Sequence, residues 1–473
     1  MAGKRGVGGE TMIIKKITMF VVMIAVAVAV AFSACAETET VGDYTWTYQI
    51  FGDTAEISGI SPATGAVTIP CTLGGKPVTS IGNHVFSGCS SLTSVTIPDG
   101  VTSIGEMTFN GCSGLTGVNI PNSVTNIGAS AFSGCSDLTR ISIPGSVMSI
   151  GEAAFSGCSG LEEMTLPFVG TRRYVQLQDD IFWGRGNWLF GYIFGSSPYE
   201  GGTKTRQDFN SSHIQSSSHY RDYYIPSKLR KVVVADDMII GTSAFYGCRG
   251  LTSVTIGNGV TTIGENAFYG CSSLTSVRIP DSVTSIDMHA FYGCAGITNV
   301  LFGSNISSIG ESAFRDCSSM PDITVPNSVT NIGYAAFSGC SSLTNMTLPF
   351  VGVCRGNGEA DLNGGGPYVG RDSLFGYVFG RDAFPGGVKT VQSVGFRAVL
   401  SSDAFYIPSS LRSVVITDET VLASGAFSGC GFPITSGCVP NTLTVIGDGA
   451  FCGCSGLERM RSEEHTSELQ SPT

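Results

Sequence analysis

Histidine is the scarcest of the residues that usually carry enzyme chemistry. The chain has five among 473 residues: His84, His213, His219, His289 and His465. The sequence also lacks a nucleophile elbow, a His-Glu-x-x-His zinc motif and a phosphate-binding loop. We therefore predict that the protein is not an enzyme and uses no cofactor or catalytic metal. The alternative is a hydrolase that pairs His213 or His219 with Asp179 or Asp180.

Basic residues are also fewer than acidic ones. Lysine and arginine number 26 against 37 aspartates and glutamates, which gives a formal net charge of -11 and a pI near 4.9. A nucleic-acid-binding surface requires a basic face that neutralises phosphates. This composition therefore argues against a nucleic-acid partner and favours a soluble surface.

What the sequence does contain is a repeat of 23 residues, here called a rung. One phenylalanine marks each copy, at Phe86, Phe109, Phe132 and Phe155 and again at Phe245, Phe268, Phe291, Phe314 and Phe337. Self-similarity at a fixed period of this size is the signature of a solenoid, in which one supersecondary unit stacks on the next. No single rung could bury its apolar side chains without neighbours on both sides.

Each part of the rung has a predictable conformation. Leu115, Val118 and Ile120 follow the pattern Leu-x-x-Val-x-Ile, whose alternation predicts a short strand. Pro121-Asn122-Ser123 then predicts a turn, because proline fixes φ and lacks a donor. The later Ala-Phe-x-Gly-Cys segment, which contains Phe132, is predicted to form a single helical turn.

These motifs resemble the BspA-type leucine-rich repeat proteins, whose unit reads roughly Leu-x-x-Val-x-Ile-Pro-x-Ser-Val-x-x-Ile-Gly-x-x-Ala-Phe-x-x-Cys-x-x-Leu. The resemblance covers about residues 78–459, apart from two interruptions. It implies a leucine-rich repeat solenoid, β-rich with short helical turns, with parallel strands stacked at the 23-residue period. It also implies an adhesin-like role toward extracellular-matrix proteins or other cells.

Eleven of the sixteen cysteines fall at one position of the rung. They are Cys89, Cys112, Cys135, Cys158, Cys248, Cys271, Cys294, Cys317, Cys340, Cys430 and Cys454. One cysteine per rung favours a column of buried free thiols, each a small apolar residue with a weak donor. A column of disulfides or metal ligands is the alternative.

The N-terminus has the three parts of a secretory signal peptide, predicted over residues 1–36. Lys15 and Lys16 precede the apolar run 17–32, and Ala34-Cys35-Ala36 supplies a cleavage site. An uncleaved anchor is one alternative, and lipidation of Cys35 is another. The protein is therefore predicted to be secreted or on the cell surface, with membrane contact only through such an anchor.

The interruptions divide the remaining chain into segments. We predict an N-terminal β cap at 37–77, ordinary rungs at 78–160, 229–342 and 411–460, and enlarged rungs at 161–228 and 343–410. Each enlarged rung spans 68 residues, and the two are copies of each other: Leu189-Phe-Gly-Tyr-Ile-Phe-Gly195 matches Leu374-Phe-Gly-Tyr-Val-Phe-Gly380. Residues 461–473 lack the repeat and look like a translated sequencing adapter, so the natural C-terminus would be missing.

Aromatic residues concentrate in the enlarged rungs, which makes them the candidate binding surface. The predicted contact residues are Trp183, Trp188, Phe190, Tyr192, Phe375 and Tyr377. Aromatic side chains are enriched at recognition hot spots, and insertions in repeat proteins often map to the binding face. The expected ligand is an extracellular protein or glycan. Two alternatives remain open: the aromatics form a local core that docks the insertion, or the whole protein is a structural spacer of the cell envelope.

Overall fold

The structure is a computed structural model that describes residues 36–172, 189–208, 220–355, 372–396, 399–430 and 436–462. It is a β-solenoid of about 14 turns with a period of about 23 residues and almost no helix, as the repeat predicts. The predicted signal peptide with Cys35, the residues Trp183 and Trp188, the pairs around His213 and His219, and positions 463–473 lie outside the described residues. In the part that is described, no helix has the length and hydropathy needed to cross a membrane.

Three antiparallel strands close the N-terminal end of the stack. Strands β1 (Glu37–Val41), β2 (Tyr44–Phe51) and β3 (Thr54–Ser61) pair antiparallel, and β3 then pairs parallel with β6 (Lys76–Ile81). In the sequence, β4 (Gly65–Thr68) and β5 (Thr72–Leu73) come between β3 and β6; β4 pairs parallel with β7 (Leu92–Thr96) and β5 pairs antiparallel with β6. Trp46 of β2 is fully buried and meets the ring of Phe86 edge-on at 6.4 Å, so the strands β1–β3 cover the first phenylalanine of the stack.

One side of the solenoid carries parallel two-residue strands, in three sheets that the enlarged rungs separate. The strands are β8 (Ser103–Ile104), β10 (Asn126–Ile127), β12 (Ser149–Ile150), β17 (Ile239–Ile240), β19 (Thr262–Ile263), β21 (Ser285–Ile286), β23 (Ser308–Ile309), β25 (Asn331–Ile332), β30 (Val421–Leu422) and β32 (Val445–Ile446). Within the 23-residue rungs, each residue of a strand pairs with the residue 23 positions later in the chain, for example Ile104 with Ile127. In seven of these strands, β8, β10, β12, β19, β21, β23 and β25, the isoleucine is buried and the preceding polar residue is at least partly exposed. The exceptions are β17, which begins with the exposed Ile239, β30, whose valine and leucine are both buried, and β32, in which Ile446 is exposed.

The second side carries the Val-x-Ile strands, also parallel. They are β7 (Leu92–Thr96), β9 (Gly117–Asn119), β11 (Arg140–Ser142), β13 (Glu163–Leu166), β16 (Lys231–Val234), β18 (Ser253–Ile256), β20 (Ser276–Arg278), β22 (Asn299–Leu301), β24 (Asp322–Thr324), β26 (Asn345–Leu348), β29 (Ser413–Ile416), β31 (Ser436–Val439) and β33 (Arg459–Ser462). Val277 and Ile279 are buried while Arg278 is exposed, as the alternation predicts. Strand β13 pairs directly with β16, 68 residues along, so an enlarged rung occupies one layer of the stack.

The third side is a column of tight turns that carries the phenylalanines. Neighbouring rings stack nearly parallel, with centroids 5.0 Å apart for Phe86 and Phe109 and 5.8 Å apart for Phe314 and Phe337. The predicted helical turn is a series of three hydrogen-bonded turns, Gly128–Ala131, Ser130–Ser133 and Phe132–Cys135, because Ser130 adopts φ 52° and interrupts helical geometry. The freed amides donate to the next layer instead, as Phe109 N does to Ala131 O at 2.7 Å.

The cysteine column confirms the predicted buried free thiols. All fourteen cysteines among the described residues are free. Cys112 Sγ donates to Phe86 O at 3.0 Å, and Cys135 Sγ donates to Phe109 O at 3.3 Å. Burial raises the pKa of the Cys112 thiol to about 12. The buried thiols therefore stay protonated, and those that donate to the preceding phenylalanine carbonyl join their turn to the layer before it.

Candidate functional site

The enlarged rungs complete the turn column with a 3₁₀ helix. In the first enlarged rung this helix is Phe190–Phe194, and in the second it is Phe375–Val378. Phe155 N donates to Ile193 O at 2.8 Å, and Phe190 N donates to Ala244 O at the same distance. The 3₁₀ helix therefore replaces the Ala-Phe turn, and the turn column continues through the insertion. The two-residue strands do not, because β12 is not paired with β17.

Each insertion also forms an antiparallel hairpin. The first is β14 (Gly202–Asp208) with β15 (Tyr220–Pro226), and the second is β27 (Gly387–Phe396) with β28 (Val399–Pro408). Gly191 and Gly376 let each hairpin approach closely, because an added Cβ on Gly191 would lie 2.5 Å from both Gln207 and Tyr223. The hairpins therefore pack tightly on the helices that precede them.

A buried glutamine fastens each hairpin to the turn column. Gln207 has no exposed surface; its Oε1 accepts a hydrogen bond from Gly191 N at 2.6 Å, and its Nε2 donates to Tyr246 O at 3.1 Å. Gln392 repeats the arrangement with Gly376 N at 2.6 Å and Ala426 O at 3.1 Å. The amide thus satisfies backbone groups of two successive layers.

The two copies agree on the inner face of the hairpin and differ on the outer face. Buried Thr205, Gln207 and Ile225 of the first copy correspond to Thr390, Gln392 and Ile407 of the second. Outside, the exposed Arg206 and its partner Asp222 correspond to the apolar Val391 and Ala404. What the copies share is therefore the packing, and the two outer surfaces are chemically distinct.

The predicted contact residues divide between core and surface. Phe190 and Phe375 have no exposed area, and Phe190 packs against Phe245 at 4.9 Å. These two form the docking core that the sequence left open as an alternative, and they cannot face a ligand. Tyr192 and Tyr377 are half-buried against the body, and Tyr377 meets Tyr334 edge-on at 5.5 Å. Burial raises the pKa of Tyr377 to about 12.

A second aromatic group, which the sequence analysis missed, lies between the two insertions. We call it the tyrosine row: Tyr220, Tyr246, Tyr269 and Tyr292. Its ring centroids are 6.5 Å apart for the first pair and 4.7 Å for each of the next two, and the last three rings stack nearly parallel. Tyr220 is 53% exposed and the other three are partly exposed. The row is a continuous aromatic surface on the outside of the turn column.

An arginine stands at each end of the tyrosine row. The Arg206 guanidinium lies 5.8 Å from the centre of the Tyr220 ring, and that of Arg315 lies 5.6 Å from the centre of Tyr292. Arg206 also pairs with Asp222 at 3.1 Å, and Arg315 pairs with Asp382 of the second insertion at 2.8 Å. The row therefore reaches from one insertion to the other, with its cations balanced by carboxylates.

The chemistry of this surface is that of contact and hydrogen bonding. Partial burial raises the pKa of Tyr269 and of Tyr292, so both phenols are neutral at physiological pH. His289 lies against Tyr292, and its own burial lowers its pKa. Across the described residues, no three His, Cys, Asp or Glu side chains form a group that could hold a metal ion.

One signal in the sequence could have revealed the row. The motif Ala-Phe-Tyr-Gly-Cys occurs in three consecutive rungs, at 244–248, 267–271 and 290–294. In other rungs the residue after the phenylalanine is small or polar, as in Ser87, Asn110 and Ser133. Stacking at the 23-residue period brings the three tyrosines together, and only the folded hairpin adds Tyr220.

Comparison with solved structures finds bacterial leucine-rich repeat proteins. A protein from Bacteroides ovatus is 23% identical, with 89% of this chain and 81% of that chain covered and a TM-score of 0.38. A leucine-rich cell surface protein from Faecalibacterium prausnitzii is 22% identical, with 92% and 97% covered and a TM-score of 0.30. The pneumococcal vaccine antigen PcpA is 14% identical, with 88% and 99% covered and a TM-score of 0.27. No curated protein matches the chain.

The family comparison is decisive. The model of the BspA type leucine rich repeat region matches in six copies over residues 72–184, 238–352 and 384–472, together more than half of the chain. This agrees with the 23-residue period, the stacked phenylalanines and the parallel strands described above. The chain therefore belongs to the BspA-type leucine-rich repeat family.

Proposed function

We propose that this protein is an exported, non-enzymatic, adhesin-like repeat protein that binds an extracellular protein or glycan at the cell surface. The observation that carries the proposal is the tyrosine row, a partly exposed aromatic surface bordered by both insertions. Tyrosine and arginine are enriched in protein interfaces because each combines a large contact area with a polar group. Family membership supports repeat-based binding at the surface, and one structural neighbour is described as a cell surface protein.

The preorganisation of the row supports this use. Stacking between neighbouring layers already fixes the rings of Tyr246, Tyr269 and Tyr292, so a ligand would immobilise few side chains on binding. The hairpin β14–β15 adds Tyr220 and the Arg206–Asp222 pair at one end. The buried Gln207 holds that hairpin in place, which makes the insertion a support for the contact surface.

The test is binding of the full chain to immobilised fibronectin, fibrinogen, mucin and a glycan panel. A triple variant, Tyr246→Ser with Tyr269→Ser and Tyr292→Ser, introduces the residue that the chain already carries at this position in other rungs, so the fold should survive. We expect saturable binding to at least one ligand and a loss of at least ~10-fold in affinity in the triple variant.

A matched control is Ser87→Ala with Ser133→Ala and Ser156→Ala, at the same position of rungs outside the row. This control should bind like the wild type. Unchanged binding by the folded tyrosine variant would remove the row as the site. Absence of binding to every ligand on the panel would contradict the proposal and favour a structural spacer of the envelope.

A further inference from the structure

The orientation of the tyrosine rings restricts what the row can hold. Tyr246 and Tyr269 are inclined by 4° to each other, and Tyr269 and Tyr292 by 12°. Each inner ring face is therefore covered by its neighbour, and the Arg315 guanidinium lies over the Tyr292 ring. The stacked rings Tyr246, Tyr269 and Tyr292 therefore present ring edges and phenol groups outward. Tyr220, tilted by 54° and 53% exposed, is not covered in this way.

The spacing of the rings provides a second restriction. Two steps of 4.7 Å match one three-residue turn of a polyproline II helix, which rises about 3.1 Å per residue. An extended strand repeats its side chains on one face every ~6.7 Å, and an α-helix turns every ~5.4 Å. Neither of those repeats equals the spacing of the stacked rings Tyr246, Tyr269 and Tyr292, whereas one turn of a polyproline II segment spans the distance from Tyr246 to Tyr292. The longer 6.5 Å step to Tyr220 lies outside this match.

The chemistry of the surface agrees with that period. A polyproline II helix makes no internal hydrogen bonds, so its carbonyl oxygens need external donors, and phenol groups are donors. The segment is already rigid, which lowers the entropy that binding costs. Arg315 is paired with Asp382, and Arg206 shares Asp222 with Lys204, so both arginines at the ends of the row are already held by carboxylates and the surface does not require a charged ligand.

The geometry points to a proline-rich segment of an extracellular protein, in the polyproline II conformation, as the ligand of the tyrosine row. The segment lies along the row from Tyr220 toward Arg315. It packs its proline rings on the ring edges and receives hydrogen bonds from the phenols, in the way that aromatic-lined grooves recognise such helices. This inference rests on the proposed function, because it names the partner of the same surface.

The experiment measures the affinity of the full chain for an oligoproline peptide of about ten residues, long enough to cover the row. A glycine-serine peptide of equal length is the control ligand. We expect the oligoproline peptide to bind at least ~10-fold more tightly than the control peptide. The triple Tyr→Ser variant should lose this difference. Tyr269→Phe, which keeps the ring stack and removes one donor, should show a smaller loss.

A gain-of-function variant makes the test sharper. Ser87→Tyr with Asn110→Tyr and Ser133→Tyr would build a second row on the rungs of Phe86, Phe109 and Phe132. We expect its stoichiometry for the oligoproline peptide to rise from one to two. This outcome would follow from the spacing of the layers and could not result from a loss of folding.

Three outcomes would overturn the inference. The two peptides bind equally, the triple variant retains oligoproline binding, or a glycan from the panel binds at the row in place of the peptide. Failure of the inference is distinct from failure of the proposed function. Binding to the protein panel that depends on the row, without oligoproline binding, would reject the polyproline ligand and leave the proposed function standing.

Discussion

At the scale of single residues, the buried thiols give the protein a predicted sensitivity to alkaline pH. Burial raises the pKa of Cys158 and of Cys271 to about 12 from the ordinary value of 9.0. Above pH 9 the unfolded chain releases these protons while the folded chain keeps them. Stability is therefore complete below pH 9 and falls as pH rises toward 12, by about 1.4 kcal/mol per pH unit for each thiol.

Chemical denaturation between pH 8 and pH 11 measures this effect. The double variant Cys158→Ala with Cys271→Ala should reduce the slope of the unfolding free energy against pH by the contribution of these two thiols. Cys71→Ala removes an exposed cysteine and is the control, which should keep the wild-type slope. An identical slope in the double variant would show that the buried thiols do not govern alkaline unfolding.

A second residue-scale prediction concerns the left-handed position two residues before each phenylalanine. Met107 adopts φ 52° there, and Gly425 and Gly449 occupy the equivalent position with φ 72° and 63°. A side chain in this conformation costs about 1 kcal/mol or more. Met107→Gly should therefore raise the free energy of unfolding by roughly that amount, measured by denaturant titration. Glu106→Gly, which is next to it but has no positive φ, should lower stability instead.

At the scale of elements, the buried glutamine is the contact that we expect to keep each hairpin docked on the solenoid. Gln207→Ala removes the acceptor of Gly191 N and one donor to Tyr246 O, both at or near the buried contact with the body. Leaving the buried Gly191 N unsatisfied costs about 1–3 kcal/mol. We expect faster amide hydrogen exchange and proteolysis within β14 and β15, while the ordinary rungs keep wild-type protection.

The duplication supplies a matched comparison for this prediction. Gln392→Ala should loosen β27 and β28 in the same way and leave β14 and β15 unchanged. Thr203→Ala, at an exposed position of β14, should have little effect on either hairpin. Equal exchange rates in the Gln207 variant and the wild type would show that the hairpin docks without this amide.

At the scale of the whole molecule, the solenoid should tolerate the loss of one complete layer. Deletion of residues 115–137 removes one period, so Leu138 takes the place of Leu115 and all strand pairs keep their register. We expect a folded, slightly shorter and slightly less stable protein, by small-angle scattering and thermal unfolding. Deletion of 115–126, about half a period, would place polar residues in the core and should unfold the neighbouring rungs. Similar behaviour of the two deletions would argue against layer-by-layer stacking.

The sequence by itself determined the architecture of this protein. A residue such as Phe132 recurs every 23 positions, and a chain that repeats its apolar residues at a fixed interval buries them only by stacking identical layers. The burial of the cysteine column follows from the same period. The duplication of the insertions could likewise be recognised from matched segments such as those containing Phe190 and Phe375.

Only the tertiary structure decided what the insertions do. No period relates Gln207 to Gly191 or Tyr220 to Tyr246, because the repeat does not specify which layer an inserted segment joins and only the folded backbone selects one. The structure placed Phe190 and Phe375 in the stack, where their burial prevents contact with a ligand. It also placed Tyr220 of the first insertion beside three tyrosines of ordinary rungs, which together form the tyrosine row. The stack follows from local repetition, and the candidate site follows from contacts between unlike segments.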